Sequence, residues 1–308
     1  MSFGRHLAQV VPTTVGALVL VFLMMRVLPG DPAVAMLGTN ATPQAVADLR
    51  AQLALDRPLY LQFVDYVVGL AHLDLGRSLA LRAPVSVLIA QALLPTLLLT
   101  FGGTLVSVVV GIPLGVVAAL RRATWVDYLA SVGALLGISV PVFVWGLLLL
   151  LAFTLQWPVL PSSGAGSNPV DVLRSLILPS IATGFFQVGL VARITRSSLL
   201  SVLSQDYIRT ARGKGLQQLT VLSRHALRNA LIPVLTVIGL NVGTLLGGAV
   251  VAETVFTRPG LGRLVLDAIN ARDYPVIQGV MIIAVVLTVV LNLFTDLLYG
   301  VTDPRVRA

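Results

Sequence analysis

Between Arg82 and Arg121 the chain carries no charged side chain, and none lies between Asp127 and Asp171. Intervals of that length constrain the fold more than any motif. A charge at the centre of a bilayer is costly, and a helix that crosses one takes about 20 mostly apolar residues. Six candidate helices meet that length: Leu7 to Met25, Leu93 to Leu120, Tyr128 to Leu155, Ser175 to Ala192, Asn229 to Ala252 and Tyr274 to Thr295. The last can run on to Val301, with Asp296 near its cytoplasmic end. Composition agrees. Only 11% of residues are charged and 56% are hydrophobic, where a soluble domain carries about 25% charged residues.

Several classes are excluded early. A net charge of +8 and a pI near 10.7 would suit a nucleic-acid binder, but the charges are spread through short gaps between apolar runs, so no nucleic-acid partner is expected. The absence of cysteine excludes disulfides and thiolate metal sites. The first apolar run is too long for the h-region of a signal peptide. "LPGDPA" after it is not a small-residue cleavage pattern, so the run is read as an uncleaved first span.

Orientation follows from Lys and Arg in the short loops. With the N-terminus inside, the inner segments hold Arg5, Arg121, Arg122, Arg193, Arg196, Arg209, Arg212, Lys214, Arg224, Arg228, Arg305 and Arg307, against Asp127, Asp206 and Asp303. The outer segments balance their cations with acids such as Asp31, Asp48, Asp56, Asp65, Asp74, Asp171, Asp267 and Asp273. Both termini are therefore expected in the cytoplasm, as an even number of spans requires.

The expected organisation is an N-terminal transmembrane helix over 1–28, an extracytoplasmic insert over 29–92, a five-helix core over 93–301 and a cytoplasmic tail over 302–308. The core includes a cytoplasmic loop over 196–230. In the insert, Pro29, Gly30 and Pro32 stop the first helix. Thr42 can cap a helix with Pro43 in its first turn and Ala45, Leu49 and Leu53 at helical spacing. Tyr60, Phe63, Val64 and Val67 form an apolar stripe on a second short helix. The insert is expected to rest on the membrane surface, for packing or for contact with a partner.

Glycines recur in the second span, at Gly102, Gly103, Gly111 and Gly115, and every four residues in the fifth, at Gly239, Gly243 and Gly247. Small residues at that spacing let helix backbones approach closely. The fifth span also carries Asn241, Thr244 and Gly248 and ends at Glu253. Polar groups in lipid face the bundle interior or water, so these four residues are candidates for lining a translocation pathway.

Enzyme signatures are absent. "GKG" at Gly213 to Gly215 lacks the Ser or Thr of a phosphate-binding loop, so this chain is not expected to hydrolyse ATP or to hold its own cofactor. His6, His72 and His225 lie outside the spans and form no zinc motif. His225 is read as a surface residue, and no metal site is expected.

One charged segment interrupts the apolar chain. Seven cationic residues lie from Arg193 to Arg228, with one acid, Asp206, among them. Topology alone would need charge in no particular order. The order here is specific: Asp206 to Arg212 can form a short helix with Tyr207, Ile208 and Ala211 near one face. Gly213 and Gly215 permit a sharp turn. Leu216 to Asn229 can form a second helix, and Ile232-Pro233 opens the next span. The result is a projecting bracket suited to transmitting a rigid push.

"DYIRTARGKGL" (206–216), "HALRNALIPVLT" (225–236), "LPGDP" (28–32), "LDLGRSL" (73–79), "VFTRPGLGRL" (255–264), "DYPVIQG" (273–279) and "LYGVTDPRVR" (298–307) together resemble the permease subunits of the dipeptide, oligopeptide and nickel ABC importers. These belong to the binding-protein-dependent transport class. The resemblance covers nearly the whole chain. It departs from the class signature, which has an acid where Arg209 stands before Thr210-Ala211 and Gly215. Its later element appears as Leu231-Ile232-Pro233, further from the glycine.

The resemblance implies an all-α integral membrane protein with the type I ABC importer permease fold: six transmembrane helices and a small helical extracytoplasmic insert after the first. It implies that Tyr207, Ile208, Arg209, Thr210, Ala211, Arg212, Gly213, Lys214, Gly215 and Leu216 form a coupling helix docked in a separate ATPase. Non-polar contacts of Tyr207, Ile208 and Ala211 are expected to carry the docking. It further implies a homologous second permease, two ATPase subunits that bind ATP and Mg, and an external substrate-binding protein, in a bacterial inner membrane. Peptides are the expected cargo, with nickel complexes or glutathione as alternatives. A proton-coupled secondary transporter using Glu253 and Asp296 is the competing reading; a scaffold would leave the ordered bracket unexplained.

Overall fold

The computed structural model describes residues 12, 15–16, 18–23, 32–37, 42–52, 54–78, 80–164, 166 and 168–302, without the side chains of 32, 35, 36, 52, 292 and 294–302. Among them every regular element is helical, and Arg77 and Pro84 form an isolated antiparallel bridge. The helices are α1 (Pro32–Leu37), α2 (Pro43–Gln52), α3 (Leu59–Ala71), α4 (Val85–Leu120), α5 (Trp125–Ser139), α6 (Val142–Gln156), α7 (Pro169–Leu203), α8 (Asp206–Gly213), α9 (Gln218–Val255), α10 (Leu261–Asn270) and α11 (Tyr274–Thr302). Helices α4, α7, α9 and α11 are each long and apolar enough to cross a membrane, and the pair α5–α6 makes a fifth span if counted as one. The predicted first span, Leu7 to Met25, falls mostly outside the described residues, of which 18–23 are helical.

The chain divides into two compact units, Met1–Leu94 with Gly260–Val289, and Pro95–Pro259 with Val290–Ala308. In the first unit, Thr42 caps α2 as expected, its Oγ1 accepting from Ala45 N at 3.2 Å. The expected stripe on α3 is present, its members differing in what they touch. Phe63 turns inward and meets Phe22 edge-on at 5.1 Å between ring centroids, while Tyr60 and Val64 are exposed. The core of this unit gathers Val85, Ile89 and Ala92 of α4 with Leu261 and Ala268 of α10 and Val276, Ile277 and Val280 of α11. Two of the short sequence segments meet here. Ser78 Oγ donates to Asp273 Oδ2 at 2.5 Å, and Ala80 N reaches the same oxygen at 3.2 Å. Gly279 lies where a Cβ would stand 2.6 Å from Val85 Cγ1.

In the second unit α7 is the central element, most of its apolar stretch being buried. Pro169 occupies its first turn, and Asn168 caps it by accepting from Asp171 N at 2.9 Å, a combination that starts helices well. The glycines of α4 do lie against α7: a Cβ on Gly103 would stand 2.8 Å from Thr183 Oγ1, and one on Gly115 would stand 2.5 Å from Ala192 O. Close backbone approach is what small residues permit in lipid. α4 widens into a π turn at Ser107–Gly111 just before Pro113, whose ring crowds the preceding turn and removes one backbone donor.

Two expectations change in this unit. The stretch Tyr128 to Leu155 is not one straight helix: α5 and α6 are bent by 105°. Pro141 is the cause, since the residue before a proline is pushed out of the helical region, and Val140 and Pro141 take ψ of 125° and 148°. Conversely, Leu216–Asn229 is not a helix separate from the fifth span. α9 runs unbroken from Gln218 to Val255 with Pro233 inside it, and Pro233 costs it one backbone bond without ending it.

Candidate functional site

The charged segment builds the bracket around α8. Ile208 is 0% exposed and Ala211 7%. Both lie in a core with Ala119 of α4, Leu199 of α7, and Val221, Ala226 and Ala230 of α9. This corrects the expectation that these two side chains present a docking surface: they lock α8 to its own chain. The remaining member of that face, Tyr207, is part-exposed, and its hydroxyl accepts from Asn229 Nδ2 at 2.9 Å. Ser198 Oγ ties α7 to α9 by donating to Ala230 O at 2.9 Å.

The turn after α8 closes in the Schellman manner. Leu216 N reaches Ala211 O at 3.4 Å and Gly215 N reaches Arg212 O at 3.0 Å, with Gly215 at φ +76°. That geometry favours glycine at this position. Gly213 is the last residue of α8 and makes no turn of its own.

The outward side of the bracket is cationic. Arg209, Thr210, Arg212 and Lys214 are exposed, and Arg209 meets Asp206 only loosely, at 3.6 Å. Such an exposed pair is worth about 0–1 kcal/mol. Two apolar side chains stand among these charges: Leu216 is 40% exposed and Leu219 is 76% exposed. Sequence reasoning missed Leu219. The available signal was the apolar pair in "GLQQL" directly after the hinge, on a segment otherwise polar.

The candidate pathway residues separate. Asn241 is half-buried and donates to Val237 O of its own helix at 2.8 Å. Thr244 is exposed, and a Cβ on Gly248 would meet nothing within 4 Å. These three lie on one side of α9. Glu253, twelve residues beyond Asn241, falls about 120° round the helix at 100° per residue. Glu253 is 1% exposed and accepts from Thr96 Oγ1 of α4 at 2.5 Å, so of the four pathway candidates it lies apart from the face the other three share. Just past α9, Arg258 is 2% exposed and donates to Ser175 Oγ at 2.6 Å and Gly164 O at 2.9 Å. Burial lowers the pKa of its guanidinium, and the charge of Glu253 opposes that shift. The side chain of Asp296 lies outside the described residues.

A further charged pair joins α7 to α5. Arg196 of α7 holds Asp127 of α5 through two bonds, Nε to Oδ1 at 2.6 Å and Nη2 to Oδ2 at 2.7 Å. Ala123 N adds a third at 3.0 Å.

Residues 111–308 match the family model described as binding-protein-dependent transport system inner membrane component, and residues 3–97 match the model for its N-terminal part. The chain is 41% identical to the dipeptide transport system permease protein DppB of Escherichia coli strain K12 over 330 residues, covering 98% of this chain and 97% of that protein. It is 40% identical to the DppB of Alkalihalophilus pseudofirmus over 327 residues, covering 98% of each. Among solved structures it is similar to an inward-facing MetNI methionine ABC transporter, with a TM-score of 0.59 at 17% identity over 70% of this chain and 96% of that chain. At that identity the likeness speaks for the fold.

Proposed function

The chain belongs to the family of binding-protein-dependent transport system inner membrane components, and from that membership we propose that it is the transmembrane permease subunit of an ABC importer whose cargo is peptides. One observation carries the mechanism: α8 is an exposed cationic helix whose inner side chains, Ile208 and Ala211, are buried in the chain's own core. A helix so anchored cannot yield alone. A force on its outer side reaches α4, α7 and α9, which supply the rest of that core.

In this reading a separate ATPase subunit binds ATP and Mg and grips the outer side of α8. Leu216 and Leu219 enter its cleft, and Arg209, Arg212 and Lys214 orient the contact. Movement of the clamped helices then opens the face of α9 that carries Asn241, Thr244 and Gly248 toward a homologous second permease. An external binding protein delivers the cargo. The inner-facing bracket and termini are supported by the excess of Lys and Arg in those segments. Peptide cargo is supported by the names of the relatives.

The test is uptake of a labelled dipeptide into proteoliposomes that hold the complete transporter. Uptake should require ATP and the binding protein and should survive collapse of the proton gradient. Uptake without ATP that a protonophore abolishes would establish the secondary-transporter reading instead. A nickel complex recovered on the binding protein would overturn the peptide assignment alone, and glutathione would narrow it to that tripeptide.

A further inference from the structure

We propose that Asp127 and Arg196 form a strut that carries movement of the bracket into the bent pair α5–α6, and so sets how much cargo each hydrolysed ATP moves. The inference rests on the reading of α8 as the element a motor grips.

A continuous route exists in the second unit. Ile208 of α8 shares a core with Leu199 of α7. Arg196 lies three residues before Leu199, one turn along the same helix. Its guanidinium grips both oxygens of Asp127, in the first turn of α5. Helix α5 then runs to the break at Pro141 and turns by 105° into α6. There Gly146 lies against α9, where a Cβ would stand 3.0 Å from Val255 Cγ1. The bent pair is thus held at its base by a charged fork and at its far limb by packing.

Two other contacts of α5 with α7 differ in kind. Gly137 lies on the Phe185 carbonyl, and Gly189 lies on the Ala134 carbonyl. Such small-residue contacts resist compression but offer little against sliding. A two-bond fork between planar groups is directional, and it fixes the register of α5 along α7. The Asp127 side chain is 8% exposed, and its third bond, from Ala123 N, fixes the α4–α5 turn to the same point. Asp127 and Arg196 are positioning residues: neither is offered as touching cargo or nucleotide. Coupling between sites needs an element both ends bias, and residues along such a route alter coupling about 2- to 30-fold.

The experiment uses the complete transporter in proteoliposomes and reads peptide moved per ATP hydrolysed. Asp127→Asn and Arg196→Lys should keep the ATPase subunits at wild-type amounts and keep hydrolysis. The peptide moved per ATP should fall about 2- to 30-fold. The charge exchange Asp127→Arg with Arg196→Asp should recover most of that loss. Single variants with wild-type stoichiometry would overturn the strut. If the single variants do not assemble, a pair that leaves no lone charge decides the matter. The chain has no cysteine, so Asp127→Cys with Arg196→Cys can be joined by a short bis-methanethiosulfonate. Joining should restore peptide per ATP in the same sample, and no change on joining would overturn the proposal. Loss of the underlying docking reading shows separately, as normal ATPase co-purification with Leu219→Asp.

Discussion

At Gly215 the backbone takes φ +76°, and the Schellman bonds around it set the direction in which the chain leaves α8. A side chain there meets no neighbour within 4 Å, so the cost of adding one is conformational. Gly215→Ala should destabilise by about 1 kcal/mol. Gly213 is also in open space but helical, and Gly213→Ala should be neutral or stabilising by up to ~1 kcal/mol. Thermal denaturation of the purified assembly checks this: a lower Tm is expected for Gly215→Ala only, and equal shifts would contradict the assignment. The sequence reading placed a hinge across both glycines and could not divide the task, because glycine tolerates either sign of φ. The same limit applied to Ile208 and Ala211. An amphipathic pattern says that one face is buried, but not whether its own chain or a partner buries it. Leu219 was missed for the converse reason: its one signal, the apolar pair it makes with Leu216, is also what ordinary surface shows.

Helices α4, α7 and α9 were legible as apolar intervals, but α7 and α9 run on through charged turns at which a charge-free interval stops, and α4 begins eight residues earlier, at Val85. The bend between α5 and α6 had a visible cause in Pro141, yet an uninterrupted apolar run hid it, because hydropathy does not record backbone direction. On α9 the outcome is mixed: Asn241, Thr244 and Gly248 share a side, whereas Glu253 is turned to Thr96. The space at Gly248 gives a clear expectation. Gly248→Trp should reduce ATP-driven peptide uptake more than tenfold while the permease still co-purifies with its ATPase subunits. Uptake at the wild-type rate would remove this side of α9 from the route. The side of α9 that carries Glu253 should respond differently. Glu253→Ala would leave Thr96 and Arg258 without that carboxylate in a buried setting, at a cost of about 1–3 kcal/mol. It should lower Tm before it alters uptake.

For the whole molecule, family membership was carried by short segments scattered along the chain, and the structure shows what two of them do: Ser78 from one and Asp273 from another are hydrogen-bonded. Orientation rests on charge alone, and the absence of cysteine makes it directly testable. Cysteines placed at Ala47 and at Ser201, on α2 and α7, should react with an impermeant reagent from opposite sides of the membrane. Reaction of both from one side would overturn the inside placement of the bracket. The central claim is that a separate motor grips the outer side of α8 through the exposed apolar pair beside its cations. Leu219 is 76% exposed, so Leu219→Asp alters that surface without disturbing the core beneath it. The decisive measurement is co-purification of the ATPase subunits with this variant from membranes in which it is fully inserted. The account predicts loss of most of the associated ATPase and of cargo-stimulated hydrolysis. Wild-type amounts of ATPase with normally coupled hydrolysis would contradict it.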